Sequence, residues 1–129
     1  MRLCTPLALL ISLAACGGDS PTGTPDAKVT GDAAMASVVA VTCPASAPIV
    51  TTTTSGADAY VPASTTISVG GIVKFMMPAA HDVAPNTLKP TDDGLKVDFG
   101  GTRCLQFNKA GTFNFFCTAH TFVGSITVQ

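Results

Sequence analysis

Three side chains in the C-terminal half of this chain have the chemistry of soft-metal ligands. Cys117 and His120 are separated by two residues in FFCTAHTFVG (residues 115–124), and His81 is the only other histidine. Side chains at positions i and i+3 around a tight turn can converge on one point, and thiolate and imidazole suit copper or zinc. Two imidazoles and one thiolate in a trigonal arrangement form the ligand set of copper electron-transfer sites.

The elements that must position these three residues are two strands. In TFNFFC (residues 112–117), period-two alternation places Cys117 on the same apolar face as Phe113 and Phe115. His81 follows a second strand-like segment that Pro78 ends. If the ends of these two strands are neighbours, the thiol and both imidazoles meet.

The rest of the chain also has strand and turn composition. Val, Thr, Ile and Phe dominate after residue 36, with frequent Gly and Pro and no amphipathic helix. We predict an all-β fold, an antiparallel Greek-key β-sandwich of about seven to eight strands. The predicted strands cover residues 37–43, 47–54, 65–69, 72–77, 95–99, 103–107, 112–117 and 124–128. Phe99 is expected in the core, as are Ile126 and Val128.

The first 36 residues indicate that the protein is exported, and they are not expected to belong to the folded domain. MRLCTPLALLISLAAC (residues 1–16) has a basic start, a short apolar run and small residues before Cys16, as in a secretory signal. The run is shorter than the roughly 20 residues that a membrane-spanning helix needs. LAAC followed by GGDS resembles a bacterial lipobox, which implies cleavage before Cys16 and a lipid on its sulfur; an ordinary signal peptide is the alternative.

We therefore divide the chain into three parts. Residues 1–15 are the predicted signal peptide, and residues 16–36 are a polar, Gly-, Pro- and Thr-containing segment expected to act as a flexible tether. Residues 37–129 are the predicted folded domain. The protein is then a lipoprotein that faces the periplasm or the cell surface.

The five cysteines are divided among these three parts of the chain. Of the five, Cys4 leaves with the signal and Cys16 carries the lipid, so three remain in an oxidising compartment. Three thiols allow three pairings, and we favour Cys43–Cys104, which leaves Cys117 free. Strict alternation places Cys104 on the outer face of its strand, so that bridge is expected outside the sandwich or at a bulge.

Charge excludes one class of function. Without Arg2 the chain has six basic residues against eight acidic ones, all of them aspartate. This balance gives no reason to expect a nucleic-acid partner.

Two histidines are too few for a multinuclear copper cluster, and no nucleophile with a base is visible, so we do not expect an enzyme.

The segments around the three ligand candidates resemble the cupredoxin family, and in particular its plastocyanin and amicyanin branch. The resemblance rests on HDV (residues 81–83), on FNKAGTFNFFCTAH (residues 107–120) and on VPASTTISVGGIVKF (residues 61–75), in the family's order. It covers about residues 60–129. It implies that His81, Cys117 and His120 are the ligands of one copper ion.

The resemblance also implies supporting residues and reveals one departure. Asp82 matches an Asn of the family and Thr118 its hydroxyl partner, so a hydrogen bond between them should join the two ligand loops. The family's axial Met is absent. Val123 is its best match and Phe122 the other candidate, and neither side chain can coordinate copper, which implies either a three-coordinate site of raised potential or loss of the blue site.

The resemblance implies one-electron transfer outside the cytoplasm by a monomer whose redox partner docks near His120. An apolar collar around that histidine, which includes Phe122 and Val123, would favour docking with little desolvation of charge. Two alternatives remain open: a periplasmic copper carrier or sequestering protein, and a metal-free β-sandwich that serves as an interaction module. A zinc site with the same ligands is a further, less favoured alternative.

Overall fold

The computed structural model describes residues 36–129, which form nine β-strands and no helix. The strands are β1 (Val38–Val41), β2 (Ile49–Thr52), β3 (Tyr60–Val61), β4 (Ser64–Ile67), β5 (Ile72–Met76), β6 (Ala84–Pro85), β7 (Thr102–Phe107), β8 (Gly111–Phe116) and β9 (Val123–Val128). This part of the chain therefore has no helical membrane span. The predicted signal peptide, Cys16 and the tether up to residue 35 lie outside the described residues.

The strands form two sheets. One has the order β1-β7-β5-β2-β3 and the other the order β4-β9-β8-β6. Their inner faces pack together through edge-to-face aromatic pairs: Phe75 lies 5.5 Å from Phe115, and Phe107 lies 5.2 Å from Phe113, between ring centroids. The predicted two-layer, all-β fold is confirmed.

Period-two alternation explains the core. Val73, Phe75 and Met77 share one buried face, and so do Phe113 and Phe115, as the sequence predicts. Deleting one of these side chains would remove its transfer free energy and leave a cavity, at a cost of about 3–5 kcal/mol for a phenylalanine. The core therefore fixes which face of each strand points inward.

Two features differ from the antiparallel prediction. β2 pairs parallel with β5, and β4 pairs parallel with β9. Each parallel partner reaches its place after a crossing between sheets, which no local turn signal specifies. The remaining ladders are antiparallel.

The predicted strand at residues 95–99 is wrong in part. Leu95 and Val97 are buried, and Val97 forms one isolated bridge with Val83, but no longer ladder follows. The amide of Gly101 donates to the carbonyl of Asp98, which closes a tight turn. That turn ends the alternation and leaves Phe99 exposed instead of in the core.

Cys43 and Cys104 are joined by a disulfide, and among the described cysteines Cys117 alone has a free thiol. Cys104 is buried but lies outside the main hydrophobic cluster, as expected for the outer face of β7. Its register partner on β1 is Val41, two residues before Cys43. The bridge therefore ties the segment that follows the edge strand β1 to the neighbouring strand β7.

Candidate metal centre

The three ligand candidates meet at one end of the sandwich. Their ligand atoms all lie within 4.8 Å of one another. The sulfur of Cys117 is 3.8 Å from Nδ1 of His81 and 3.7 Å from Nδ1 of His120. The structure thus brings together every residue that the sequence assigned to the metal.

Two short loops hold these side chains. The amide of Cys117 donates to the carbonyl of Phe122, and the amide of Thr121 donates to the carbonyl of Cys117, which closes the loop that carries His120. Thr121 adopts φ = 61°, a left-handed conformation that is uncommon for a β-branched residue. Strain of this kind persists where the surroundings determine the loop conformation, and it concentrates at functional sites.

His81 is held from both sides in the other loop. Its amide donates to the carbonyl of Pro78, which lies two residues after the end of β5. Two residues later, Val83 exchanges two backbone hydrogen bonds with Val97. His81 is 7% exposed and Cys117 is fully buried, whereas the side chain of His120 is 38% exposed. One imidazole is therefore internal and the other reaches the surface.

A buried carboxylate connects the two loops. Oδ1 of Asp82 accepts a hydrogen bond from the Thr118 amide at 2.7 Å, and Oδ2 accepts one from the Thr118 hydroxyl, also at 2.7 Å. Asp82 follows His81 directly, and Thr118 follows Cys117. The hydrogen bond expected between Asp82 and Thr118 is present, and a second one to the backbone accompanies it.

Phe122 rather than Val123 lies beside the candidate ligands. The Phe122 ring is 5.3 Å from the ring of His81 and 6.4 Å from that of His120, and it is half-buried against the core. Val123 is exposed and pairs in register with Phe116 on the outer side of β8. The structure therefore leaves Phe122 as the apolar neighbour of the site.

Tyr60, the chain's single tyrosine, lies beneath the site. Sequence reasoning did not identify it as part of the site. Its hydroxyl donates to the carbonyl of Asp82 at 2.6 Å, and its ring packs 4.6 Å from Phe122 and 4.7 Å from Phe115. Burial raises the pKa of this phenol strongly, and the nearby Cys117 and Asp82 charges raise it further. Tyr60 thus remains a neutral hydrogen-bond donor that braces the His81 loop.

Gly124 permits close packing beneath the site. A Cβ atom at this position would lie 2.5 Å from the ring of Phe115 and 3.0 Å from that of Tyr60. Both rings are fully or almost fully buried, so they cannot move aside easily. Gly124 therefore lets β9 approach these two aromatic rings.

Asp58 is a second residue that sequence reasoning missed, because it was interpreted only as part of a turn. One carboxylate oxygen is 3.8 Å from Nε2 of His81, and the other is 3.9 Å from Nε2 of His120. Asp58 is 44% exposed. The collar that the sequence predicted to be apolar therefore includes a carboxylate. Asp58 lies in the loop before β3, where no strand alternation applies, so the sequence offered no local signal for this placement.

Comparison with known proteins supports the fold. No protein-family model matches the chain, and no curated protein sequence matches it. Solved structures do match, among them amicyanin from Paracoccus versutus, with a TM-score of 0.54 and 21% identity over 73% of this chain and 99% of that chain. The reduced Cu(I) form of a proline-to-glycine mutant of amicyanin at pH 4 gives 0.54 and 20%, over 72% and 99%. The oxidized state of a proline-to-alanine mutant gives 0.56 and 19%, also over 72% and 99%. Residues 36–129 of the chain thus have the amicyanin-like fold of the cupredoxins.

Proposed function

We propose that the protein is a mononuclear type 1 copper protein that transfers single electrons outside the cytoplasm. The observation that carries this proposal is the convergence of one buried free thiol with Nδ1 of His81 and Nδ1 of His120. The amicyanin-like fold supports it, since one of the similar structures is a Cu(I) form.

The spacing of the donors fits one shared ion. For a first-row metal with bonds of about 2.0 Å to nitrogen and about 2.3 Å to sulfur, trigonal angles separate nitrogen and sulfur by about 3.7 Å. The two nitrogen–sulfur distances are 3.8 and 3.7 Å. Thiolate with two imidazoles is the equatorial set of blue-copper centres. Cys117, His81 and His120 would therefore hold the ion.

The protein's own residues would supply rigidity and access. Copper, when bound, would supply a one-electron couple, so each transfer adds or removes one electron and breaks no bond. Asp82 and Thr118 fix the two ligand loops relative to each other, which limits rearrangement on redox change. Phe122 offers no ligand atom beside the imidazoles, and its apolar ring would raise the reduction potential of a bound copper ion.

His120 would be the exit for the electron. It is the exposed ligand candidate, whereas Cys117 and His81 are buried. A redox partner that docks at this end approaches the site through one imidazole. The protein then acts as an electron carrier rather than as a catalyst.

The anchoring that we propose is compatible with this access. The carbonyl of Ser37, just before β1, accepts a hydrogen bond from Asn108, in the turn between β7 and β8. β8 runs from that turn towards Cys117, so the domain begins at the end of the sandwich opposite the site. A lipid on Cys16 and a tether over residues 16–36 would therefore hold the domain by its far end and leave His120 free.

Addition of one equivalent of Cu(II) to the purified protein tests the function. We expect an intense blue absorption band and an electron paramagnetic resonance spectrum with narrow copper hyperfine splitting. Cys117→Ser keeps nearly the same size but lacks the thiolate, so this variant should fold and give neither signature. A pale, ordinary Cu(II) spectrum in the wild type would refute the proposal and favour a copper carrier. Absence of copper binding would favour a metal-free interaction module, or zinc if zinc binds instead.

A further inference from the structure

The loop that carries Asp58 lies at the same end of the sandwich as the ligand candidates. β2 runs parallel to β5, so the loop after β2 emerges beside the loop that carries His81. This loop, residues 53–59, then leads into β3 and Tyr60. Its position follows from the parallel pairing, which the sequence did not predict.

Thr53 fixes the part of this loop that presents the carboxylate. Its hydroxyl donates to the carbonyl of Ala57 at 2.9 Å and accepts from the amide of Ala59 at 3.1 Å. The backbone amide of Thr53 also donates to the carbonyl of Ala59 at 2.8 Å. Both chain neighbours of Asp58 are therefore tied to one threonine, and Asp58 projects from a closed loop.

The Asp58 carboxylate faces both imidazoles on the side away from the thiol. Its two oxygens lie 3.8 and 3.9 Å from Nε2 of His81 and of His120, while both Nδ1 atoms face the sulfur of Cys117. These distances are slightly longer than a hydrogen bond, and a shift of less than about 1 Å by the half-exposed carboxylate would close either one. One carboxylate thus has an oxygen for each imidazole.

This geometry selects a tautomer. A neutral imidazole carries one proton, and a carboxylate beside Nε2 favours the form in which Nε2–H donates to it and Nδ1 keeps its lone pair. That lone pair is what a metal ion needs. In known metal sites, a carboxylate that accepts from the far nitrogen of a ligating histidine fixes both the tautomer and the ring orientation.

We propose that Asp58 is a positioning residue shared by both imidazoles, which holds His81 and His120 with Nδ1 directed at the metal position. The assignment deepens the proposed function and rests on it for its consequence in copper binding. The carboxylate also places a negative charge near the ion, which favours the oxidised over the reduced form.

The first test needs no copper. Long-range proton–nitrogen NMR spectra of the purified, metal-free protein, recorded at alkaline pH, report the tautomer of each imidazole. We expect both histidines to be Nε2–H in the wild type and the Nδ1–H form to appear in Asp58→Ala. Asp58→Asn, whose amide oxygen can still accept one hydrogen bond, should be intermediate. Asp93→Asn removes the same charge from an exposed residue elsewhere and should leave the tautomers unchanged.

The second test measures the consequence for copper. We expect Asp58→Ala to weaken copper binding about tenfold or more, the range known for residues that support metal-ligating histidines. The reduction potential should rise in Asp58→Asn and not in Asp93→Asn. Wild-type tautomers in a folded Asp58→Ala protein, or an Asp93→Asn effect as large as that of Asp58→Asn, would overturn the assignment.

The two tests separate this inference from the proposed function. If the wild type binds copper without a blue spectrum, the proposed function fails, while the tautomer spectra still decide what Asp58 does. If the wild type is blue and the tautomers do not depend on Asp58, the assignment of Asp58 fails alone.

Discussion

Replacement of Asp82 by alanine should destabilise the domain, because the Asp82 side chain joins the two loops of the candidate site. Asp82 is 8% exposed, and its two oxygens accept both hydrogen bonds that Thr118 donates across the loops. The Asp82 carbonyl, which accepts from Tyr60, is unaffected by the substitution. The change therefore removes the link between the loops and little else.

The expected magnitude follows from these two bonds. Hydrogen bonds to a charged acceptor each contribute about 1.5–3 kcal/mol net. Thr118 is exposed, so water can hydrate its freed donors, and we take the lower value for each bond. The expected loss for Asp82→Ala is about 3 kcal/mol. For a domain of this size that corresponds to a fall in Tm of about 12–24 °C.

Two further variants divide this total between its parts. Thr118→Ala keeps the backbone bond and loses the hydroxyl bond, so it should cost about half as much as Asp82→Ala. Asp82→Asn can accept from the Thr118 amide and donate to its hydroxyl, so it loses only the charge and should cost about 1 kcal/mol. A double-mutant cycle between Asp82→Ala and Thr118→Ala should give a coupling energy of about 1 kcal/mol or more.

Urea unfolding of the metal-free, disulfide-intact protein measures these differences. With m of about 1.5 kcal/mol per molar, Asp82→Ala should lower the midpoint by about 2 M. The reasoning is refuted if Asp82→Ala costs less than about 1 kcal/mol. It is also refuted if Asp82→Asn costs as much as Asp82→Ala, since the geometry would then not account for the stability.

Three other outcomes are expected from the structure. Burial holds the pKa of Tyr60 above its ordinary value of 10.0 in the folded state, so above about pH 10 the unfolded chain releases a proton that the folded chain retains. Stability should therefore be unaffected below that pH and fall above it by up to about 1.4 kcal/mol per pH unit; Tyr60→Phe should abolish the slope in urea titrations, and phenolate absorbance in the folded wild type at pH 10 would contradict the assignment. Phe122→Met places a thioether beside both imidazoles and should lower the reduction potential, whereas Val123→Met should leave it unchanged; equal shifts in a potentiometric titration would show that the two positions are wrongly assigned. Replacing Cys43 and Cys104 together by serine opens a link across a sequence separation of 61, which should cost about 2–4 kcal/mol in urea unfolding, and an unchanged midpoint would count against it.

Local patterns identified the candidate metal ligands. Cys117 and His120 belong to one short loop, and His81 lies three residues after Pro78, which follows the end of a strand. Each of these placements depends only on neighbours in sequence. The resemblance to cupredoxins added that the two strand ends are adjacent, and the structure brings the three side chains together.

The choice between Phe122 and Val123 could have been made from alternation. Ile126 and Val128 were predicted to face inward, and continuing the same period back along β9 places Phe122 inward and Val123 outward. The left-handed conformation of Thr121 falls immediately before this stretch. When residues are counted across that turn to match the family's axial Met, Val123 is selected instead.

Phe99 shows the opposite failure of the same rule. Alternation from Leu95 and Val97 predicts that Phe99 faces the core, yet its side chain is exposed. The turn between Asp98 and Gly101 ends the strand one residue earlier. Period-two reasoning is valid only while a ladder continues, and the ladder's length depends on which partner strand is present.

By itself the sequence determined the all-β class, the inward faces of the main strands and the Cys and His residues that could bind a metal. All of these depend on residue types and on spacing within a few positions. The tertiary structure decided that β2 lies parallel to β5, and hence that Asp58 faces two imidazoles and that Tyr60 braces the carbonyl of Asp82. These contacts join residues more than 20 positions apart, and such distances are fixed by how whole sheets pack rather than by any local preference of the chain.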